Sequence, residues 1–172
     1  MLRMEIALFL ILAFVAYIYF PARRERTPLH QTFSVLLLTV LVHLVFDGAT
    51  LYTVNHLDTV PPLVNSLLHR AFIATMLLAV YLFYQYIAIL VEEETGTPRR
   101  FDLAAKCFLG AAELAALVLP VRYAITPEGN YSTGMQANVC YGGVAFYLLL
   151  CAGLLIANWK QIDRKKRFAI GA

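Results

Sequence analysis

Apolar residues along this chain gather into five long blocks separated by short polar stretches: Met4 to Phe20, Phe33 to Val54, Leu63 to Val91, Phe101 to Pro120 and Asn138 to Trp159. A helix needs roughly 17 to 25 mostly apolar residues to cross the hydrocarbon core of a bilayer, and each block reaches that length. The polar stretches carry breakers where helices should stop. Pro61-Pro62 suits the start of the third block, because proline in a first helical turn sacrifices no hydrogen bond. Thr95-Gly96-Thr97-Pro98 should close that helix after the acidic triplet Glu92 to Glu94. The stretch Val121 to Ala137 is the longest polar connection, and its Glu128-Gly129-Asn130 turn, flanked by Tyr123, Ile125 and Tyr131, predicts a small hairpin. The pattern predicts an all-α fold: a polytopic helical membrane protein of about five transmembrane helices forming one domain over residues 1–172.

Composition agrees, since an apolar share of 60% and a mean hydropathy of +0.68 lie outside the range of soluble domains. The net charge of +3 matters less than its placement. Arg23, Arg24 and Arg26 follow the first block, Arg99 and Arg100 the third, and Lys160, Arg164, Lys165, Lys166 and Arg167 the fifth, whereas the other connections hold only Arg122. Under the positive-inside rule the N-terminus is outside and the fifth span ends in the cytoplasm. Topology accounts for the basic runs, so nucleic acid is not an expected partner and the lipid bilayer is. The first block resembles a secretory signal but lacks a small-residue cleavage pattern, and it reads as a retained anchor. Cys107, Cys140 and Cys151 have no ligand-like spacing, so no metal or other cofactor is expected.

Ionisable groups inside lipid-length helices are costly and usually face a bundle interior or a water-filled cavity. Thr39, His43, Asp47 and Thr50 share one helical face, and Asn65 and His69 are again four apart on the next span. On the fourth, Asp102, Lys106, Gly110 and Glu113 form a stripe, in which Asp102 and Lys106 read as a local ion pair and Glu113 lies deeper. Counted from the outer ends of their spans at 1.5 Å per residue, Asp47, His69 and Glu113 lie about 9 to 11 Å deep, with Arg70 almost level. The candidate site is therefore a polar layer of Asp47, His69, Arg70 and Glu113, supported by His43 and Asn65. Asp47 or Glu113 is expected to pair with Arg70, with His69 as the titratable member. A purely structural polar clamp is the competing account of the same residues. A bis-histidine haem is disfavoured because His43 lies about 16 Å deep and His69 about 9 Å. Asp47-Gly48-Ala49-Thr50 matches only the opening of the motif of membrane CDP-alcohol phosphotransferases, and the chain shows no catalytic constellation.

Asp47, Asn55-His56-Leu57-Asp58, Pro61-Pro62, Asn65 and His69-Arg70 together resemble the second and third spans of the N-terminal membrane regions of Gram-positive, clostridial-type GGDEF proteins. Tyr123, Gly129-Asn130-Tyr131, Gly134, Tyr141 and Tyr147-Leu148-Leu149-Leu150 are similar to that family's fourth-to-fifth connection, and Arg164-Lys165-Lys166-Arg167 to its basic run before a further span. The resemblance implies a seven-span sensory region coupled to a cytoplasmic diguanylate cyclase domain, which condenses GTP to cyclic di-GMP. This chain carries five of those spans and no GG[DE]EF signature, so it is expected to be an input region without its output, and itself no enzyme. A small extracellular ligand or a proton is the expected effector, and a homodimer the expected assembly. Two other classes fit buried His, Asp and Glu: a small transporter or proton-translocating subunit, and a membrane anchor whose polar residues only pack helices.

Overall fold

The computed structural model describes residues 3–22, 27–127 and 129–162. Arg23, Arg24, Arg26, Glu128 and the basic run from Arg164 to Arg167 lie outside the described residues. Five helices and one hairpin follow in order: α1 Arg3–Tyr19, α2 Pro28–Val54, α3 Pro62–Thr95, α4 Asp102–Val118, β1 Arg122–Thr126, β2 Gly129–Thr133 and α5 Met135–Asn158. Three of them, α2, α3 and α5, are long and apolar enough to cross a membrane. At 17 residues each, α1 and α4 are shorter. Large apolar side chains such as Leu10, Phe14, Leu114, Leu149 and Ile156 stay exposed on the outside of the bundle, which suits lipid rather than water.

Local chemistry explains the helix ends. Pro61 precedes the first residue of α3, as expected, and Gly96 closes that helix in the left-handed region at φ +68°, where a side chain would be strained. At α2 the structure departs from the sequence pattern, because the helix starts five residues before Phe33. Thr27 caps it, its side chain accepting the His30 N–H at 3.2 Å, and Pro28 occupies the first turn, where proline initiates a helix. The hairpin forms where the Glu-Gly-Asn turn predicts it, with Tyr123 opposite Ser132 and Ile125 opposite Asn130.

The centre of the bundle is α3, which packs against α2, α4 and α5, while α1 packs along α2. Gly143 lets α5 approach α3 closely, since a Cβ there would collide with Cδ2 of Leu77, itself fully buried. Such small-residue contacts are how helices associate in lipid. Toward the Gly96 end a core forms around Tyr84, Val91, Ala105, Tyr147 and Cys151. Tyr84 in this core is 1% exposed. At that same end Lys106 and Asp102 pair at 2.7 Å, and Gln85 donates to the other Asp102 oxygen at 2.6 Å.

Candidate functional site

The hairpin packs against α5 and α2 and is clipped to the end of α2. Asn130 Nδ2 donates to Val54 O at 2.9 Å, and its backbone N–H to Asn55 Oδ1 at 3.3 Å, so the turn is tied to the end of α2. Beneath it, α4 ends at Val118 with carbonyls that no helical N–H reaches. Arg70 supplies the missing donors: Nη1 reaches Ala116 O at 3.0 Å and Nη2 reaches Leu119 O at 3.1 Å. Its Nε donates to Ser66 Oγ at 3.3 Å. Gln136, fully buried in the first turn of α5, adds its Nε2 to the same Ala116 O at 2.6 Å. A guanidinium at a helix C-terminus is also favoured by the dipole.

Arg70 is thus committed to backbone oxygens and pairs with neither Asp47 nor Glu113. The ion pairs among the described residues are Arg99–Glu92 and Lys106–Asp102. The expected single layer is divided into separate groups. On the α1–α2–α3 side, half-buried Asp47 lies within electrostatic reach of His43 and of Glu5 on α1. His43 is buried, stacks on Phe72 at 5.0 Å and meets Thr75 Oγ1 through Nδ1 at 3.0 Å. Thr75 gives its own hydroxyl proton to Ala71 O at 2.8 Å, so it receives the His43 Nδ1–H. Asn65 is 1% exposed and accepts from Thr53 Oγ1 at 2.9 Å, which locks α2 to α3. Glu113, half-buried on α4, faces Cys140 and Tyr147 of α5 electrostatically and forms no hydrogen bond among the described residues.

His69 shares no hydrogen bond with any of these among the described residues. It is 2% exposed, and neither Nδ1 nor Nε2 has a hydrogen-bond partner. Its ring contacts the edge of Tyr123 at 6.0 Å and tilts against Phe72 at 5.8 Å. The Tyr123 hydroxyl and the Gln136 Oε1 are likewise buried without a partner. Burial lifts the Tyr123 phenol above its ordinary range, the nearby Arg70 guanidinium pulling the other way. Buried polar atoms normally find partners, and each exception calls for an explanation.

One explanation is the cavity that His69 lines. It measures about 390 Å³ and runs between α3 (His69, Phe72, Ile73, Met76) and α5, from Ala137 to Leu148, with Ser132 of β2 at the hairpin side. Its size falls within the roughly 300 to 1,000 Å³ usual for small-molecule sites. Sequence spacing identifies His43, Asn65 and His69 as inward-facing, but Gln136 and Thr75 escape it, since one amide or hydroxyl in a long apolar run has no periodicity to betray it. No group of three or more His, Cys, Asp or Glu side chains fit for a metal occurs among the described residues. No protein-family model, no curated protein and no solved structure matches the chain.

Proposed function

We propose that this chain is the input region of a membrane signal-transduction protein, with five spans, the N-terminus and hairpin outside, and a receiving site under the hairpin centred on His69. The observation that carries the reading is the pair of unpartnered ring nitrogens on a side chain 2% exposed that belongs to a residue lining a cavity. A polar group held without partners is destabilising by about 1–3 kcal/mol, a cost that a structural clamp has no reason to carry and that a receiving site recovers on binding. Transmission has a physical route, because α3 is one uninterrupted helix of 34 residues, about 51 Å long. It joins the hairpin end to the Gly96 end, where Arg99 supports assignment to the cytoplasm. The resemblance to GGDEF-associated membrane regions makes cyclic di-GMP synthesis by a C-terminal domain the proposed output.

Cells with and without the gene, grown alike, test the class of function: cyclic di-GMP is expected to differ between them, and equal levels would remove that output from the reading. A second reading, proton translocation, is favoured by the succession of Glu5, Asp47, His43 and Thr75 across α1, α2 and α3. Proton flux into proteoliposomes holding the purified protein, abolished in Asp47→Asn, would establish that reading instead.

A further inference from the structure

The walls of the His69 cavity say what kind of molecule it takes. Along α3 the lining positions 69, 72, 73 and 76 and along α5 the positions 137, 140, 141, 144, 145 and 148 follow helical spacing, so two facing stripes enclose an elongated slot. From Ala137 to Leu148 it extends about 16 Å along the helix. Below its first turn the slot is apolar, with Ile73, Met76, Val144 and Leu148. Tyr141 and Leu148, both lining it, are also exposed on the outside of the bundle, so the slot opens sideways toward lipid. His69 and Ser132 place hydrogen-bonding side chains at its hairpin end. His69 lines that end, and its imidazole, whose two nitrogens are covered and unpartnered in this structure, has one donor and one acceptor to offer a ligand once the ring turns into the slot; Ser132 adds a hydroxyl, and the Tyr123 ring packs edge-on with His69. Arg70 spends Nε, Nη1 and Nη2 on Ser66 and on the end of α4, Arg122 lays its stem on Gly134 of the hairpin, and among the described residues no cationic side chain lines the slot to meet an anionic head.

We infer that the cavity binds a neutral, membrane-soluble amphiphile, an apolar chain or ring system ending in one hydroxyl or carbonyl group, which enters from the lipid and hydrogen-bonds His69. The inference rests on the proposed receiving site and gives it a ligand class. Water-soluble ligands with charged groups do not fit, because the lateral opening and apolar walls would strip their hydration without replacing it.

Met76 lines the cavity and is one of only 4 methionines in the chain, which makes its methyl group a reporter. The full protein, labelled with ¹³C-methyl methionine in lipid nanodiscs, is titrated with 1-decanol and separately with decane at equal membrane mole fraction. Decanol is expected to shift the Met76 methyl resonance saturably, decane to shift it little, and Met4 to respond to neither. In His69→Phe, which keeps an aromatic ring, the decanol midpoint should rise about tenfold, one hydrogen bond's worth. Equal responses to decane and decanol in the unaltered protein, or none to decanol, overturn the inference without requiring any variant to fold. Binding is read at Met76 whatever the output. Saturable decanol binding with no change in cyclic di-GMP would therefore spare the ligand class and sink the signalling reading, and the reverse result would do the opposite.

Discussion

Replacing Arg70 separates a helix-capping arginine from a charge-paired one. Its guanidinium makes three hydrogen bonds, to Ser66 Oγ, Ala116 O and Leu119 O, and no ion pair among the described residues. In Arg70→Met the apolar stem is preserved, Leu119 O loses its side-chain donor, and Ala116 O retains only Gln136. Hydrogen bonds from charged donors contribute about 1.5–3 kcal/mol each in soluble proteins, whereas interhelical bonds inside membranes average nearer 0.6. With the favourable helix-end electrostatics of about 0.3–1 kcal/mol, the expected loss is about 2–4 kcal/mol. Arg70→Lys, a point donor without the fork needed to bridge two carbonyls, should lose about half of that. Reversible unfolding in mixed micelles, followed by circular dichroism, measures both. Asp47→Asn and Glu113→Gln are the decisive controls. Should either carboxamide cost as much as Arg70→Met, and the double substitution cost no more than one alone, Arg70 would be part of an ion pair and the capping account would be wrong.

Three further outcomes follow from particular contacts. Gly143→Leu forces α5 away from Leu77 and should destabilise the bundle by about 1–3 kcal/mol in the same unfolding assay, while the same change at Gly142, with open space around it, should be nearly neutral. Tyr147→Phe removes the 2.8 Å bond to Ala105 O and should cost about 1 kcal/mol, with Tyr141→Phe, on the exposed face, as the silent comparison. Asn130→Ala releases the side-chain clip to Val54 O. Hydrogen exchange of the hairpin amides should speed up about fivefold, with the α3 amides near Leu77 unchanged.

What the sequence reveals and what it hides divide along physical lines. Helical periodicity aligns His43, Asn65 and His69 on inward faces, and all three are buried, because a side chain's direction follows from its position on a regular helix. The hairpin is legible from Gly129 and its neighbours, since turn chemistry is local. Depth along a helix proved a poor guide to partnership. Asp47, His69 and Glu113 are level by counting, yet Asp47 faces His43 and Glu5, and Glu113 faces α5. Height does not determine azimuth once helices are packed. The partners of Arg70 are equally hidden, because they are backbone carbonyls exposed by the end of α4, and any residue presents a carbonyl. Pro28 shows the same limit at an element boundary: whether a proline ends or begins a helix depended on the single Thr27 side chain before it.

In the proposed function His69, buried beneath the hairpin without a hydrogen-bond partner, receives a signal rather than holding the bundle together. Cyclic di-GMP per molecule of protein, in cells carrying the native gene or its His69→Phe form, tests it most directly, with membrane abundance measured in the same samples. A receiving site predicts unchanged abundance, because His69 gives up no hydrogen bond on substitution, together with a cyclic di-GMP level that no longer follows the stimulus. Reduced abundance with normal cyclic di-GMP per molecule would contradict the account and leave His69 a packing residue.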